Sequence, residues 1–314
     1  MRFRKCMKGL VIGLVVMASL QGCRRKEDVQ DALHDAIVAG DAESVARLLA
    51  SGAVPNAKAS NGMTPLQTAV RHGRVKMVEM LLARGAGINV PGQDECTPLH
   101  EAANQMNKEL AWLLLSRGSD KNRWNVLGQT PLHMAMVRKD MEMVRLLAQD
   151  NAIWDVFTAA GLNETERLRS ILRQDKAALT KRDGWKLTAL HYALVMEAKE
   201  AAELLIRFGA DVNASDTWQR TPLHIAAFDS DLTYRLLSAG ANPNVTNNMG
   251  QIPLHHAVFE ENVDVAKLLL ENGAYPNVKD KRGRSALDYA IKWDLTDLID
   301  LLSQVPTTTT QASE

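Results

Sequence analysis

The sequence predicts an all-α solenoid of about nine helix-turn-helix units joined by β-hairpin loops. Three observations carry this expectation. Thr-Pro-Leu recurs at a fixed interval of 33 residues, at Thr64-Pro65-Leu66, Thr97-Pro98-Leu99 and Thr130-Pro131-Leu132. Related tetrads continue along the chain, at Asp31-Ala32-Leu33-His34, Thr188-Ala189-Leu190-His191, Thr221-Pro222-Leu223-His224, Ile252-Pro253-Leu254-His255 and Ser285-Ala286-Leu287-Asp288. Most tetrads are followed by small apolar residues, then by Leu-Leu, Gly-Ala and Asn, as in Leu48-Leu49-x-x-Gly52-Ala53-x-x-Asn56 and Leu269-Leu270-x-x-Gly273-Ala274-x-x-Asn277. A unit this short cannot bury its own apolar face, so neighbours must stack into a common core.

Each recurrent residue has a physical task. Thr opens the first helix as its N-cap, and Pro follows in the first turn, where its missing N–H costs nothing. Leu and the Ala pair lie one helical turn apart and share a buried face, with Ala small enough to let two helices approach closely. Gly after the second helix supplies the left-handed conformation that ends it. None of these residues is reactive.

On these motifs the chain resembles the ankyrin-repeat family over residues 29–304. That resemblance implies a β-turn and two antiparallel helices per unit, with the tetrad histidine bonding backbone groups and tying adjacent hairpins together. It also implies that the hairpin tips and the C-terminal ends of the first helices face the concave side and contact protein partners.

Taken in order, the units are not uniform. The unit after Thr130 begins only 24 residues on, near Trp154, with Phe157, Ala159-Ala160, Leu168 and Ile171-Leu172 in the matching slots. This predicts an irregular joint near 150–158, a helix pair entered without the usual hairpin, and one extra residue before Thr188. The interval from Thr221 to Ile252 is 31 residues, which makes that helix pair two residues short. The first unit is rich in acidic residues, and the last replaces the recurrent His by Asp288, as capping units of a stack require. Residues 305–314 carry almost no apolar content and read as a disordered tail.

Residues 1–22 stand outside the repeat. Arg2, Arg4, Lys5 and Lys8 precede an apolar run of 12 residues from Gly9 to Leu20, too short to span a bilayer and suited to a secretory signal. The run ends in Leu20-Gln21-Gly22-Cys23, which resembles the lipobox of bacterial lipoproteins. That resemblance implies cleavage before Cys23 and acylation of its thiol and amine, giving a stable membrane anchor. Residues 23–28 form a tether reaching only about 20 Å. Arg24 in place of an Asp after the anchor points to the outer membrane, facing the periplasm.

Composition limits the chemistry. The chain has 37 basic and 37 acidic residues, and loss of residues 1–22 leaves 33 against 37, a net charge of −4. A weakly acidic domain is a poor nucleic-acid binder. Once Cys6 leaves with the signal and Cys23 is acylated, Cys96 has no partner thiol in the chain; it reads as an exposed thiol or an incidental small residue. Six of the eight histidines fall in the recurrent slot, spread over successive units rather than converging on one ion. His100-Glu101 opens like a zinc-protease helix, but Asn104 stands where the second His belongs. No phosphate-binding loop, nucleophile elbow or dinucleotide fingerprint is present. No catalytic residue, metal, cofactor or small-molecule substrate is therefore expected.

The variable slots carry the functional expectation. In the N-terminal half they are mostly polar, with Ser60, Asn61, Arg71, His72, Asp94, Asn104, Gln105 and Arg138. In the C-terminal half they turn aromatic and soft: Trp185, Trp218 and Met249 share one tip position, Phe228 and Phe259 one helix-end position, and Met196 and Trp293 the adjacent one. Trp and Met at such slots suit a partner-binding stripe; the competing reading is that the rings pack on neighbouring hairpins. The expectation is a non-catalytic, membrane-anchored lipoprotein that mediates protein–protein binding in the bacterial envelope. Two alternatives stay open: an immunity or inhibitor protein that neutralises an envelope-delivered toxic enzyme, and an accessory or cryptic hydrolase.

Overall fold

A computed structural model of the chain describes residues 29–149 and 152–304. The expected signal peptide, the lipidated Cys23 with its tether, and the expected disordered tail lie outside the described residues, as do residues 150 and 151 of the expected joint. The chain divides between Asp150 and Asn151 into two compact units.

The first unit holds four helix pairs. They are α1 (29–39) with α2 (Ala42–Ala50), α3 (Pro65–Arg71) with α4 (Val75–Ala83), α5 (Pro98–Asn104) with α6 (Lys108–Ser116), and α7 (Pro131–Val137) with α8 (Met141–Leu147). The second holds five. They are α9 (Val156–Gly161) with α10 (Thr165–Gln174), α11 (Ala189–Val195) with α12 (Lys199–Arg207), α13 (Pro222–Ile225) with α14 (Ser230–Ser238), α15 (Pro253–Phe259) with α16 (Val263–Glu271), and α17 (Ala286–Lys292) with α18 (Thr296–Ser303). Within the second unit, first helices pack on first helices in chain order, and second helices do the same.

Most first helices are two turns long, too short to persist alone in water. Their ends are fixed chemically: Thr97, Thr130 and Thr188 cap through the side chain, and Pro stands at the start of α3, α5, α7, α13 and α15. Their stability comes from packing. Leu99, Ala102, Ala103, Leu110 and Leu114 are fully buried, and the same slots are filled at Leu190, Ala193, Leu194, Ala201 and Leu205. A fully buried Leu contributes about 2 kcal/mol. The recurrent Asn joins neighbours: Asn213 accepts from Asn242 N at 2.8 Å and donates to Gly240 O at 3.0 Å, so an exposed helix end is satisfied by the preceding unit.

The loops differ from the expected β-hairpins: the described residues contain no strand. Five tips are organised by a side chain instead of a strand ladder. Asp216 Oδ1 accepts from Trp218 N and Arg220 N, both at 2.8 Å, and Asp216 N donates to Arg220 O at 3.0 Å. Asn125, Asp183, Asn247 and Asp280 repeat this arrangement. Adjacent tips then share one backbone bond each, as from Thr217 N to Trp185 O at 2.9 Å. One bond per neighbour does not make a ladder.

The irregular units resolve into local causes. Asp155, one residue after the expected start, caps α9, which shortens that helix to 6 residues. The extra residue before Thr188 is taken up by a second helix of 10 residues and a 3-10 turn over Lys176–Thr180, where other units have Gly-Ala. In the short unit α14 keeps its full 9 residues, and the deficit falls at the end of the first helix and the turn between the helices. Elsewhere that turn holds a left-handed residue, such as Met106, Lys139, Glu197 or Glu261 with φ of 53–57°. Here Asp229, at φ −136°, follows the 3-10 turn Ala226–Phe228 directly and caps α14.

Candidate protein-binding surface

The recurrent histidine is a double tie. In α5, Thr97 N donates to His100 Nδ1 at 3.1 Å, and His100 Nε2 reaches Gln129 O of the next tip at 3.1 Å. A backbone N–H can only donate, so Nδ1 is the acceptor and the proton sits on Nε2. His191 and His224 repeat this towards Arg220 O and Gln251 O, at 3.3 and 3.0 Å. Burial holds all three rings down at a pKa of about 4. They are neutral structural groups.

Gln67 occupies the same slot in α3 and was not recognised from sequence. Its Oε1 accepts from Thr64 N at 3.0 Å and its Nε2 donates to Cys96 O at 2.5 Å. A Gln amide offers the same acceptor and donor as a neutral imidazole. In α17, Asp288 Oδ2 accepts from Ser285 N at 2.8 Å, and no further tip follows among the described residues to need a donor.

Cys96 is half-buried beside Asn125 Nδ2 at 3.7 Å, and burial pushes its thiol up rather than activating it. Among the described residues no group of three or more His, Cys, Asp or Glu side chains is placed to hold a metal ion. No described helix is long and apolar enough to cross a membrane.

The polar slots of the first unit bond one another. Arg71 meets Glu101 through two hydrogen bonds of 2.8 and 3.0 Å, Gln105 Nε2 donates to Glu101 Oε1 at 3.0 Å, and Arg138 donates to Asn104 Oδ1 at 2.7 Å. Glu101 is thereby buried with its charge satisfied.

The aromatic slots fall into two groups, both in the second unit. At the tips, Trp185 and Trp218 lie 5.7 Å apart, and Arg220 lies 5.0 Å over the Trp218 ring. Trp185, Trp218 and Met249 occupy the same point of successive turns, their carbonyls bonded to the next tip at 2.9, 2.9 and 2.8 Å. At the helix ends, Phe259 contacts Trp293 at 5.5 Å and Tyr289 at 5.0 Å, and Tyr289 lies 5.4 Å from Trp293. His256 joins this group, 5.6 Å from Phe259, and burial takes its pKa down to about 3. Its Nε2 accepts from Asn247 Nδ2 at 3.1 Å. Met196 and Phe228 are half-buried at their own helix ends, and no ring contact joins Phe228 to either group.

None of the seven expected binding residues lies in the inter-helix core. Trp218, Met249 and Trp293 are 37%, 39% and 44% exposed, and Trp185, Met196, Phe228 and Phe259 are half-buried. The rings stack on one another and still present surface, so the two readings weighed from sequence describe different faces of the same side chains. Tyr289 and His256 were missed from sequence, although each stands at helical spacing from Trp293 and Phe259. Elsewhere, Trp112 is 62% exposed on α6, Trp124 packs on His133 at 5.5 Å, and Arg167 lies 4.2 Å over Trp154.

Comparison with known proteins agrees with this geometry. A family model described as ankyrin repeats in three copies matches residues 84–157, 156–247 and 228–310. A second, ankyrin repeats in many copies, matches residues 33–82. Among curated proteins, the chain is similar to serine/threonine-protein kinase VIK of Arabidopsis thaliana, 39% identical over 61 residues, which is 19% of this chain and 14% of the kinase. It is also similar to protein phosphatase 1 regulatory subunit 27 of Homo sapiens, 35% identical over 79 residues. That match covers 24% of this chain and 51% of the subunit, and the Mus musculus protein matches over the same length at 34%. The chain thus spans about half or less of the length of these relatives.

Proposed function

Because the chain belongs to the ankyrin-repeat family, whose repeats are protein-binding modules, we propose that it is a non-catalytic binder of another protein, held at a membrane of the bacterial envelope by acylated Cys23. The observation that carries the binding reading is the row of half-exposed rings in the second unit. Trp185, Trp218 and Met249 line the tips, and Phe259 and Trp293 line the helix ends. Large rings held rigid by their neighbours present contact area at little entropic cost, which is what a binding hot spot needs. The slots behind them contribute hydrogen bonds to the stack and nothing chemically reactive. The anchoring reading rests on the charged start, the apolar run and Cys23. Outer-membrane placement facing the periplasm rests on Arg24.

A photo-crosslinker placed at Trp218 or Trp293 should capture one discrete partner in the native envelope. The same group at Tyr234, 60% exposed on the second helix α14, serves as the control. Equal capture from Tyr234 would remove the assignment of the ring-bearing face. Cys23→Ser should release a soluble domain into the aqueous fraction; unchanged membrane partitioning would defeat the anchor.

A further inference from the structure

The four successive tips of the second unit, at 183–187, 216–220, 247–251 and 280–284, distribute charge unevenly. Their carboxylates are turned inward: Asp183, Asp216 and Asp280 are 7%, 3% and 5% exposed. Each is consumed by its own turn, and by Tyr192 Oη at 3.0 Å, Arg220 Nε at 2.8 Å and Tyr289 Oη at 2.7 Å respectively. The cations point outward. Lys186, Lys281 and Arg282 are exposed, and among the described residues none of them makes an ion pair. Such a charge pattern is not general to these turns, because the tip at 92–96 in the first unit exposes Asp94 and Glu95.

We infer that this tip row receives an acidic segment of a protein partner, its carboxylates meeting Lys186, Lys281 and Arg282 and its apolar side chains resting on Trp185, Trp218 and Met249. The inference rests on the reading of the ring-bearing face as a binding surface and adds the partner's chemistry. Cations without counter-ions among the described residues, on tips that also carry part-exposed apolar side chains, favour an anionic group that brings apolar surface of its own. A continuous polyanion such as nucleic acid fits less well. The turns between the helices expose Glu197, Glu260, Glu261 and Asp294, which would repel a phosphate chain lying across the unit and leave room for discrete side chains.

The test uses the intact chain and a fluorescent random copolymer of glutamate and tyrosine, read by anisotropy. A lysine–tyrosine copolymer and an oligothymidylate are the comparators. The glutamate copolymer should bind and weaken with added salt. The triple variants Lys186→Glu/Lys281→Glu/Arg282→Glu and Lys186→Gln/Lys281→Gln/Arg282→Gln should each lose about tenfold or more in affinity. Absence of binding, parent-like affinity in both triple variants, or preference for either comparator would overturn the proposal. Trp218→Ala separates the two readings through capture of the envelope partner. Capture lost in Trp218→Ala and kept in both triple variants leaves the binding face standing and removes the acidic assignment. Capture kept in all three variants removes both.

Discussion

What the recurrent slot requires is one acceptor facing back to the helix start and one donor facing forward to the next tip. His100 meets both needs with Nδ1 and Nε2, and Gln67 meets them with Oε1 and Nε2 at 3.0 and 2.5 Å. The slot therefore selects a hydrogen-bonding pattern rather than a ring. His100→Gln should retain most of the stability at neutral pH. His100→Ala should lose about 2–3 kcal/mol, because it strands the buried Thr97 N–H and opens a cavity. Urea midpoints of the two variants check this, and equal losses would mean that ring packing rather than hydrogen bonding sets the slot. Asp288 follows the same logic, accepting from Ser285 N where no further tip follows among the described residues. Phe157 departs from it: α9 is capped by Asp155, and its ring packs 5.2 Å from Tyr192.

Helix pairs are linked by a residue whose backbone is left-handed, which Gly40 and Gly73 adopt freely and Glu261 adopts at φ 53° against a steric cost. Glu261→Gly should stabilise the chain by about 0.5–1 kcal/mol. A fall in the urea midpoint would show that the carboxylate makes a contact worth more than the strain. The short pair α13 and α14 avoids this residue altogether, and that is how it loses two positions without shortening its second helix. Interval counting revealed the loss but could not place it, because residue spacing does not distinguish a shorter helix from a shorter turn. The repeat itself was legible because Thr, Pro, Leu, Ala and Gly each answer a local backbone demand. The side-chain-organised tips were not, since Asp or Asn two residues before the tip reads equally well as a hairpin. For the candidate surface, slot alignment picked out seven side chains that keep some exposure in the structure, yet pairings such as Trp185 with Trp218 depend on the stacking of whole units.

Across the chain the neutral histidines make stability depend on pH in a window set by burial. His100, His191 and His224 sit at about 4 in the folded protein and His256 at about 3, against 6.5 in an unfolded chain. Burial also lowers His34 and His255. Between those limits the unfolded state binds more protons, so stability is fully present above about pH 6.5 and is lost as pH falls towards 4. Protonating Nδ1 would also evict the Thr N–H that it accepts, so hydrogen bonding and burial act in the same direction. Each of the three rings at about 4 then withdraws on the order of 2 kcal/mol by pH 4.5. Asp229 and Asp280, which are lowered from 3.8, contribute only at more acid pH, so the two causes separate along the pH axis. The thermal midpoint should therefore drop steeply between pH 6.5 and 4.5. The variant His100→Gln/His191→Gln/His224→Gln should start near the parent at pH 7 and follow a visibly flatter curve. An unchanged slope in that variant would assign the acid sensitivity to the remaining buried histidines and the carboxylates, and the three ties would then be silent over this range.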